Sequence, residues 1–441
     1  MSRLPEKILI QQIESLMSQW QAGHGIAPVN VSHWHPSHEV LQNLQMQVPL
    51  SVLDPLASPQ ACDPIPYRYS HGLPATDAVL RKLGFCADRV GALITENGTT
   101  SISAVANWLK LQGVTEVTLL TPYYYATSYS LLRLGLSVRE VALERGADGA
   151  YQIPADLDLQ SHQALWITNP IYSTGLYSLE ASCDLLRRIA DAGAVVVADE
   201  SLALRPTAIA RCLGGHENFV GIYTPHKSIC MNGVKFSIVV VHPRHQATLE
   251  DWAEVLSGGL SLSATIAIQH FVTSSFDEYR ENFSRLMRRM RDWHVDLVDG
   301  FDGTVELDEG SEGHFVMAYV PGLAAEVGSR VDFLAEILKQ TGCIVVPGFH
   351  SGFPERSGFC FRINLACDSE AFRNALRRLY SFLRSKSARQ RRSDARSAAA
   401  PIVTGFPALA PDRSLDDSGV RSERDRILDV ALRDQACDST A

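Results

Sequence analysis

The chain has 441 residues, of which 46% are hydrophobic and 20% charged, the composition of an ordinary globular protein. Its formal net charge of -9 at pH 7 offers no basic surface for nucleic acid or for an anionic membrane. No apolar run approaches the roughly 20 residues that span a bilayer, and the N-terminus lacks the features of a signal peptide, so we expect a cytoplasmic protein with neither nucleic-acid nor membrane partners.

The first residues, MSRLPEKILIQQIESLMSQW, have the periodicity of an amphipathic helix. The nine cysteines of the chain are scattered, and none forms a CxxC pair. This pattern favours reduced thiols over disulfides or a zinc site, and we expect no bound metal.

Between about residues 90 and 242, strand-like apolar runs alternate with helical stretches. The runs are VGALIT, EVTLLT, ALWIT, AVVVAD, FVGIYT and FSIVVVH. Because most of them are continuously apolar, they indicate strands of a sheet that is buried on both faces. The alternation predicts an α/β fold with a mostly parallel sheet between helices. In such sheets ligands bind beyond the carboxyl ends of the strands.

The pattern changes after about residue 256. A long charged helical stretch leads to short strands (HFVMAYV, CIVVPG, FCFRINLA) and another helix, which predicts a smaller α+β domain. The last residues are rich in Arg, Ser, Ala, Asp and Pro, a composition typical of disorder. We therefore predict an N-terminal arm with part of the small domain in residues 1–65, a large domain in 66–270, the rest of the small domain in 271–385, and a disordered tail in 386–441.

Polar residues follow several of these predicted strands. Gly98, Thr99 and Thr100 open a helix, where backbone N–H groups either bind a phosphate or are simply capped. Tyr124 could stack on a flat ring or lie at a surface. Asp199 could pair with a protonated ring nitrogen or form a loop ion pair.

Lys227 follows the run FVGIYT, in a loop of small and polar residues. Desolvation in such a loop lowers the pKa of a lysine and makes its amine nucleophilic. Most lysines are solvated, so Lys227 indicates a function only together with the other residues of the pattern.

Taken in order, these features resemble the class I/II aminotransferases of pyridoxal 5′-phosphate (PLP) fold type I. The order is a glycine turn, an aromatic residue, Asn-Pro, Asp-Glu, and a lysine followed by Gly233 and Lys235. YRYSHGLPATDAVLRKLG resembles the entry motif of the family, and FCFRINLA resembles its C-terminal strand. The resemblance covers most of residues 28–385 and implies a seven-stranded, mostly parallel sheet, a smaller α+β domain from the N- and C-terminal parts, and a homodimer.

The resemblance also implies a role for each matching residue. Lys227 would carry PLP as a Schiff base, Asp199 would pair with the pyridine nitrogen, and Tyr124 would stack on the ring. Arg362 would bind the α-carboxylate of an amino-acid substrate through its planar fork. The phosphate would be bound by a set of polar residues: Gly98, Thr99, Thr100, Thr224, Lys235 and the partner subunit's Tyr69.

Some positions depart from the family pattern. Tyr172 stands where an asparagine normally contacts the phenolic oxygen of the cofactor, and Leu202 stands where a tyrosine is usual. The Tyr172 phenol could replace the missing one, and Asn169 could still reach the cofactor. Lys235 replaces an arginine and loses its forked contact with phosphate.

The segment from Ser32 to Pro36 also departs from the pattern, because relatives often have a glycine there. His33, Trp34 and His35 would bind substrate and supply acid–base groups, or they lie on a surface loop.

We therefore predict a PLP-dependent, aminotransferase-like enzyme of specialised, natural-product metabolism that acts on an α-amino acid. The departures leave its reaction open between transamination and another PLP reaction, namely β- or γ-elimination, replacement or cyclisation. A non-catalytic sensor with the same fold is a minor alternative.

Overall fold

A computed structural model describes residues 6–43, 74–146, 150–228, 235–258, 260–353 and 358–398. The chain divides into two units, residues 1–394 and 395–441. Apart from the end of the last helix, every element described below lies in the first unit.

The helices are α1 (Glu6–His24), α2 (His38–Asn43), α3 (Pro74–Lys82), α4 (Gly98–Leu111), α5 (Tyr125–Arg133), α6 (Cys183–Asp191), α7 (Ala208–Leu213), α8 (Pro225–Ser228), α9 (Gln246–Ser257), α10 (Leu262–His270), α11 (Phe276–Asp299), α12 (Val331–Thr341) and α13 (Glu370–Ala398). The strands are β1 (Val29–Asn30), β2 (Gly91–Thr95), β3 (Glu116–Thr121), β4 (Ser137–Ala142), β5 (Glu144–Arg145), β6 (Tyr151–Gln152), β7 (Gln163–Thr168), β8 (Val195–Glu200), β9 (Phe219–Tyr223), β10 (Ser237–Val241), β11 (Glu306–Leu307), β12 (Phe315–Val320), β13 (Cys343–Ile344), β14 (Val346–Pro347) and β15 (Phe359–Asn364).

The central sheet has seven strands in the order β2-β10-β9-β8-β7-β3-β4. Strand β10 is antiparallel to both of its neighbours, and the other pairs are parallel. The predicted α/β fold with a mostly parallel seven-stranded sheet is therefore confirmed.

Both faces of this sheet are buried, as its apolar strands require. In β8, Val196 and Ala198 belong to one hydrophobic cluster, and Val195 and Val197 belong to another. Successive side chains of a strand point to opposite faces, so one strand serves both clusters. The continuous apolar runs in the sequence follow from this arrangement.

The smaller α+β part holds a four-stranded antiparallel sheet in the order β11-β12-β15-β14, and strand β1 pairs in parallel with β13. Leu9 and Ile13 of α1 share one buried cluster with Phe283 of α11 and Leu379 of α13. The N- and C-terminal parts of the chain therefore build this region together.

The predicted start of the tail at residue 386 falls inside α13, which continues to Ala398. Ser387 is buried, and its hydroxyl lies against Gly322, so this part of the helix packs against the domain. The prediction of disorder was wrong for residues 386–398, and the rest of the predicted tail lies outside the described residues. In the described ranges, no helix combines the length and the apolar character needed to cross a membrane.

Candidate active site

Lys227 and Asp199 meet at the carboxyl edge of the central sheet. Asp199 is near the end of β8 and almost fully buried, and Lys227 lies in the short helix α8 that follows β9. Burial lowers the pKa of the Lys227 amine, the nearby Asp199 carboxylate opposes that change, and Lys235 adds to it. Burial raises the pKa of Asp199, which Ser201 and Lys227 oppose. Asp199 is buried and Lys227 is half-buried, and the charge of each opposes the pKa shift that burial causes in the other.

The backbone of Gly98, at the start of α4, forms one wall of the space around this pair. A β-carbon at this position would lie 3.0 Å from Thr224 Oγ1 and 3.6 Å from both Lys227 Nζ and Ser201 Oγ. A side chain here would project among the polar groups that converge on the lysine. Glycine leaves that space open.

A chain of hydroxyl groups runs from this space into the sheet. Thr224 Oγ1 donates to Ser201 Oγ at 3.0 Å and lies 3.2 Å from Ser237 Oγ. Ser101 Oγ donates to Ser237 Oγ at 2.9 Å and lies 2.8 Å from Thr95 Oγ1. The sequence prediction included Thr224 but missed Ser201 and Ser237, although Ser201 follows Asp199 by two residues and Ser237 opens a strand.

The N–H groups at the start of α4 are already in use. Asn97 Oδ1 accepts from Thr99 N at 3.0 Å and from Thr100 N at 3.1 Å. These are two of the donors predicted to bind a phosphate, so a phosphate would have to displace the Asn97 side chain to use them. The phosphate roles of Thr99 and Thr100 stay predictions.

The other predicted phosphate contacts are Lys235 and the partner subunit's Tyr69. The Lys235 side chain is exposed, and its charge helps to lower the pKa values of Lys227 and His226, so it lies near the pair. Tyr69 and Gly233 lie outside the described residues.

Three aromatic rings cover the space next to Lys227. The ring centroids of Trp34, Tyr124 and Tyr172 are 6.1 Å apart in all three pairs. Lys227 Nζ lies 5.6 Å from the centroid of the Tyr124 ring. Tyr124 is thus near the lysine, and its stacking on a bound ring stays a prediction.

Asn169 makes a buried hydrogen bond that the sequence did not predict. Its Nδ2 donates to Glu200 Oε1 at 2.7 Å, and Thr207 Oγ1 donates to the other oxygen of that carboxylate at 2.8 Å. Burial raises the pKa of Glu200 to about 7. One N–H of the Asn169 amide is therefore bound to Glu200. The contact of Asn169 with the cofactor stays a prediction, and Tyr172 is the other candidate donor to a phenolic oxygen.

Arg362 is buried in β15, at the other end of the site. Its Nε and Nη2 donate to the backbone oxygen of Ser32 at 3.2 and 2.8 Å, and its Nη1 lies 3.5 Å from Ser173 Oγ. Its Cζ is 3.7 Å from the ring centroid of Trp34 and 4.7 Å from that of Phe315. The sequence analysis did not predict that Phe315 lies beside Arg362.

The three predicted substrate residues of the N-terminal segment differ in exposure and in their contacts. Only the ring of Trp34 joins the aromatic cluster, whereas the side chains of His33 and His35 are exposed, with their rings 5.0 Å apart. The substrate roles of the two histidines stay predictions.

Comparisons with known proteins support the fold that this site occupies. No family model matches the chain. The LL-diaminopimelate aminotransferase of Maridesulfovibrio salexigens is 23% identical over 175 residues, which are 40% of this chain and 43% of that protein. The match therefore spans less than half the length of that curated relative.

Two solved structures illustrate the similarity along most of the chain. One is YbdL from Escherichia coli, for which a methionine aminotransferase function was identified; it has a TM-score of 0.67 and 17% identity, covering 84% of this chain and 97% of that one. The other is the PLP-dependent cyclase OrfR, with a TM-score of 0.67 and 21% identity, covering 84% of this chain and 97% of that one.

The chain has the fold of the class I/II aminotransferases, which are PLP-dependent enzymes of fold type I. The predicted resemblance and fold class are confirmed by these similarities. Gly98, Asp199 and Lys227 lie at the carboxyl edge of the large sheet, whereas Arg362 lies in β15 of the smaller sheet.

Proposed function

We propose that this protein is a PLP-dependent, aminotransferase-like enzyme that acts on an α-amino acid. The observation that carries the proposal is that Lys227, whose pKa responds to the buried Asp199 carboxylate, lies beside the Tyr124 ring and the open backbone at Gly98. A lysine amine, a carboxylate, a ring and a glycine turn around one space are the groups that this cofactor requires.

The described residues fit PLP. Lys227 would hold it covalently, Asp199 would hold its pyridine nitrogen protonated, and Tyr124 would cover its ring. Gly98, Thr224 and the missed Ser201 would bind its phosphate, with Lys235 adding positive charge. When bound, PLP supplies an electron sink for negative charge at the substrate Cα.

The side chains around that position would carry out the remaining tasks. Burial lowers the pKa of Lys227, which favours the neutral amine, and the neutral amine would accept the proton from the substrate Cα. Arg362 would bind the α-carboxylate and so set the orientation of the substrate. The Trp34, Tyr124 and Tyr172 rings would exclude water from the reacting atoms.

A second candidate is a non-transaminating reaction: elimination, replacement or cyclisation. The departures from the family pattern favour it, because one N–H of the Asn169 amide is bound to Glu200 and Leu202 brings no phenol. The contacts that tune a bound cofactor would therefore differ from the usual family pattern. OrfR, described as a PLP-dependent cyclase, has the same fold.

The setting of the enzyme is part of the proposal. We propose a cytoplasmic homodimer with a role in specialised, natural-product biosynthesis. The dimer rests on the family resemblance, which assigns the partner subunit's Tyr69 to the phosphate site.

The test is cofactor binding followed by a reaction assay. We expect an absorbance band of lysine-bound PLP, and borohydride reduction should attach the cofactor to the peptide that contains Lys227. Lys227→Ala should lose both signals, and Lys110→Ala, at an exposed position of α4, should keep them. A wild-type protein without any cofactor signal after added PLP would refute the proposal.

The reaction assay mixes the enzyme with a panel of amino acids and a 2-oxo acid. Exchange of the amino group identifies a transaminase. Consumption of the amino acid without exchange identifies one of the other reactions. A protein that binds PLP but consumes no amino acid would indicate the sensor.

A further inference from the structure

The N-terminal segment that carries Trp34 is fixed along strand β15. Asn364, which is fully buried, donates its backbone N–H to Val31 O at 2.8 Å. Its Nδ2 donates to His33 O and to His35 O, both at 2.8 Å. Because the carbonyls on both sides of Trp34 are bound to one buried amide, the backbone of Trp34 has little freedom to move.

Arg362 lies in the same strand, two residues before Asn364, and its guanidinium occupies a corner between two rings. Trp34 and Phe315 meet edge to face, with centroids 5.2 Å apart and an angle of 89° between their planes. The Arg362 Cζ is close to both centroids, and nearer to that of Trp34, at 3.7 Å. The Ser32 carbonyl accepts from Nε and Nη2 at one edge of the guanidinium.

This corner restricts how Arg362 can turn. A guanidinium over an indole ring gains a cation–π attraction that is strongest for tryptophan, and desolvation strengthens it. Two-point binding of a carboxylate needs the guanidinium plane in one orientation, since a tilt breaks one of the two hydrogen bonds. An aromatic ring over the guanidinium therefore fixes the orientation on which carboxylate binding depends.

We propose that Trp34 is a positioning residue that holds Arg362 for the α-carboxylate of the substrate, through its aromatic face rather than its bulk. The inference rests on the proposed function, in which Arg362 binds that carboxylate. Phe315 supports the same guanidinium from its greater distance and has the smaller effect.

The experiment measures the binding of propionate, a simple carboxylate, and of propionamide, its uncharged counterpart, to the PLP-loaded enzyme by calorimetric titration. We expect Trp34→Leu, which keeps an apolar side chain but no ring, to weaken propionate binding about tenfold. Trp34→Phe should retain binding to within about threefold, because it keeps an aromatic face. Propionamide binding should be the same in all variants.

A matched control changes a tryptophan that has a different partner. Trp20 of α1 stacks on His24, with ring centroids 3.7 Å apart, so Trp20→Leu removes a tryptophan without touching Arg362. We expect wild-type propionate binding in this variant. In steady-state kinetics, Trp34→Leu should raise KM for the amino acid and change kcat less.

Equal propionate binding in Trp34→Leu and Trp34→Phe would overturn the inference. Arg362→Leu separates it from the proposed function. If Arg362→Leu binds propionate as the wild type does, the carboxylate role of Arg362 fails; if Arg362→Leu alone loses binding, only the role of Trp34 fails. If Trp34→Leu does not fold, Phe315→Leu replaces it and is expected to weaken propionate binding about threefold. Unchanged propionate binding in Phe315→Leu would then refute the inference that the aromatic rings hold Arg362.

Discussion

The two ends of the site are built in different ways. The end around Lys227 consists of residues at or just beyond the ends of neighbouring strands, and their polar groups follow from the topology of the sheet. The end around Arg362 joins segments that are 330 positions apart in the chain, through the backbone oxygen of Ser32. The first end is therefore determined by the order of the strands, and the second by tertiary packing that no local pattern encodes.

The largest effect on stability should come from Gly175, whose backbone packs the Tyr172 loop against the segment that leads into β12. Its φ is +73°, and a β-carbon would lie 2.0 Å from the backbone oxygen of Glu312. Moving a backbone atom aside distorts the surrounding structure. We therefore expect Gly175→Ala to lower the free energy of unfolding by about 4 kcal/mol or more, and urea denaturation measures this change.

Gly113→Ala is the matched control for this change. Gly113 has a similar φ of +79°, but nothing lies within 4 Å of its position for a β-carbon. It should cost only the roughly 1–2 kcal/mol of a left-handed residue. Equal losses in the two variants would mean that the packing of the substrate end does not depend on this close approach.

Ser237→Ala tests the hydroxyl chain at the cofactor end. The Ser237 hydroxyl donates to Tyr223 O at 2.8 Å and accepts from Ser101 at 2.9 Å. We expect a loss of about 1–3 kcal/mol in the free energy of unfolding, because buried partners are left unsatisfied. The dissociation constant of PLP should rise several-fold, since the Thr224 hydroxyl loses one of its two hydroxyl neighbours and keeps only Ser201.

Ser128→Ala removes a hydroxyl that bonds only locally, to Tyr125 O, and should change stability by less than about 0.5 kcal/mol. The propionate affinity of Ser237→Ala should equal that of the wild type. If it falls as much as the affinity for PLP, the two ends are coupled and the contrast between them does not hold.

Each end also contains a buried histidine. Burial and the neighbouring Lys227 and Lys235 lower the pKa of His226 to about 4. Burial, together with Arg362 and Lys227, lowers the pKa of His314 to about 3. Below about pH 6.5 the unfolded chain binds protons that these folded histidines do not, so each one makes the protein less stable as the pH falls.

The smallest expected effect is a shift in one of these pKa values. Propionate at Arg362 offsets the positive charge near His314, so its pKa should rise while that of His226 stays the same. NMR titration of the imidazole signals, assigned with His314→Gln and His226→Gln, measures both values. Parallel shifts would show that the carboxylate acts on the whole site rather than on one end.

The same contrast explains what the sequence could predict. Gly98, Asp199, Thr224 and Lys227 were identified because each of them ends or follows an apolar strand, and strand ends of a parallel sheet converge. Strand β4 was missed: most of its residues are exposed, so the segment SVREVA has no continuous apolar run. The part of the fold with a buried pattern was therefore predictable, and its exposed edge was not.

Side-chain partners were harder to predict. The sequence contains Asn169 in its family motif, but nothing local indicates that Glu200 holds its amide nitrogen. The helix start at Gly98 was recognised, whereas its capping by the Asn97 side chain is visible only in the tertiary structure. Arg362 was identified by its strand motif, and neither the ring of Trp34 nor that of Phe315 could be placed beside it without the tertiary structure.

The contact between Arg362 and the Ser32 carbonyl has a consequence for mutagenesis. A backbone oxygen is present whatever side chain the residue carries, so Ser32→Ala leaves this acceptor in place and removes only the hydroxyl, which accepts from Val346 N and donates to the backbone oxygen of Arg362. An ester or thioamide introduced at this peptide link, by chemical synthesis or semisynthesis, would be needed to reveal how much the arginine depends on it.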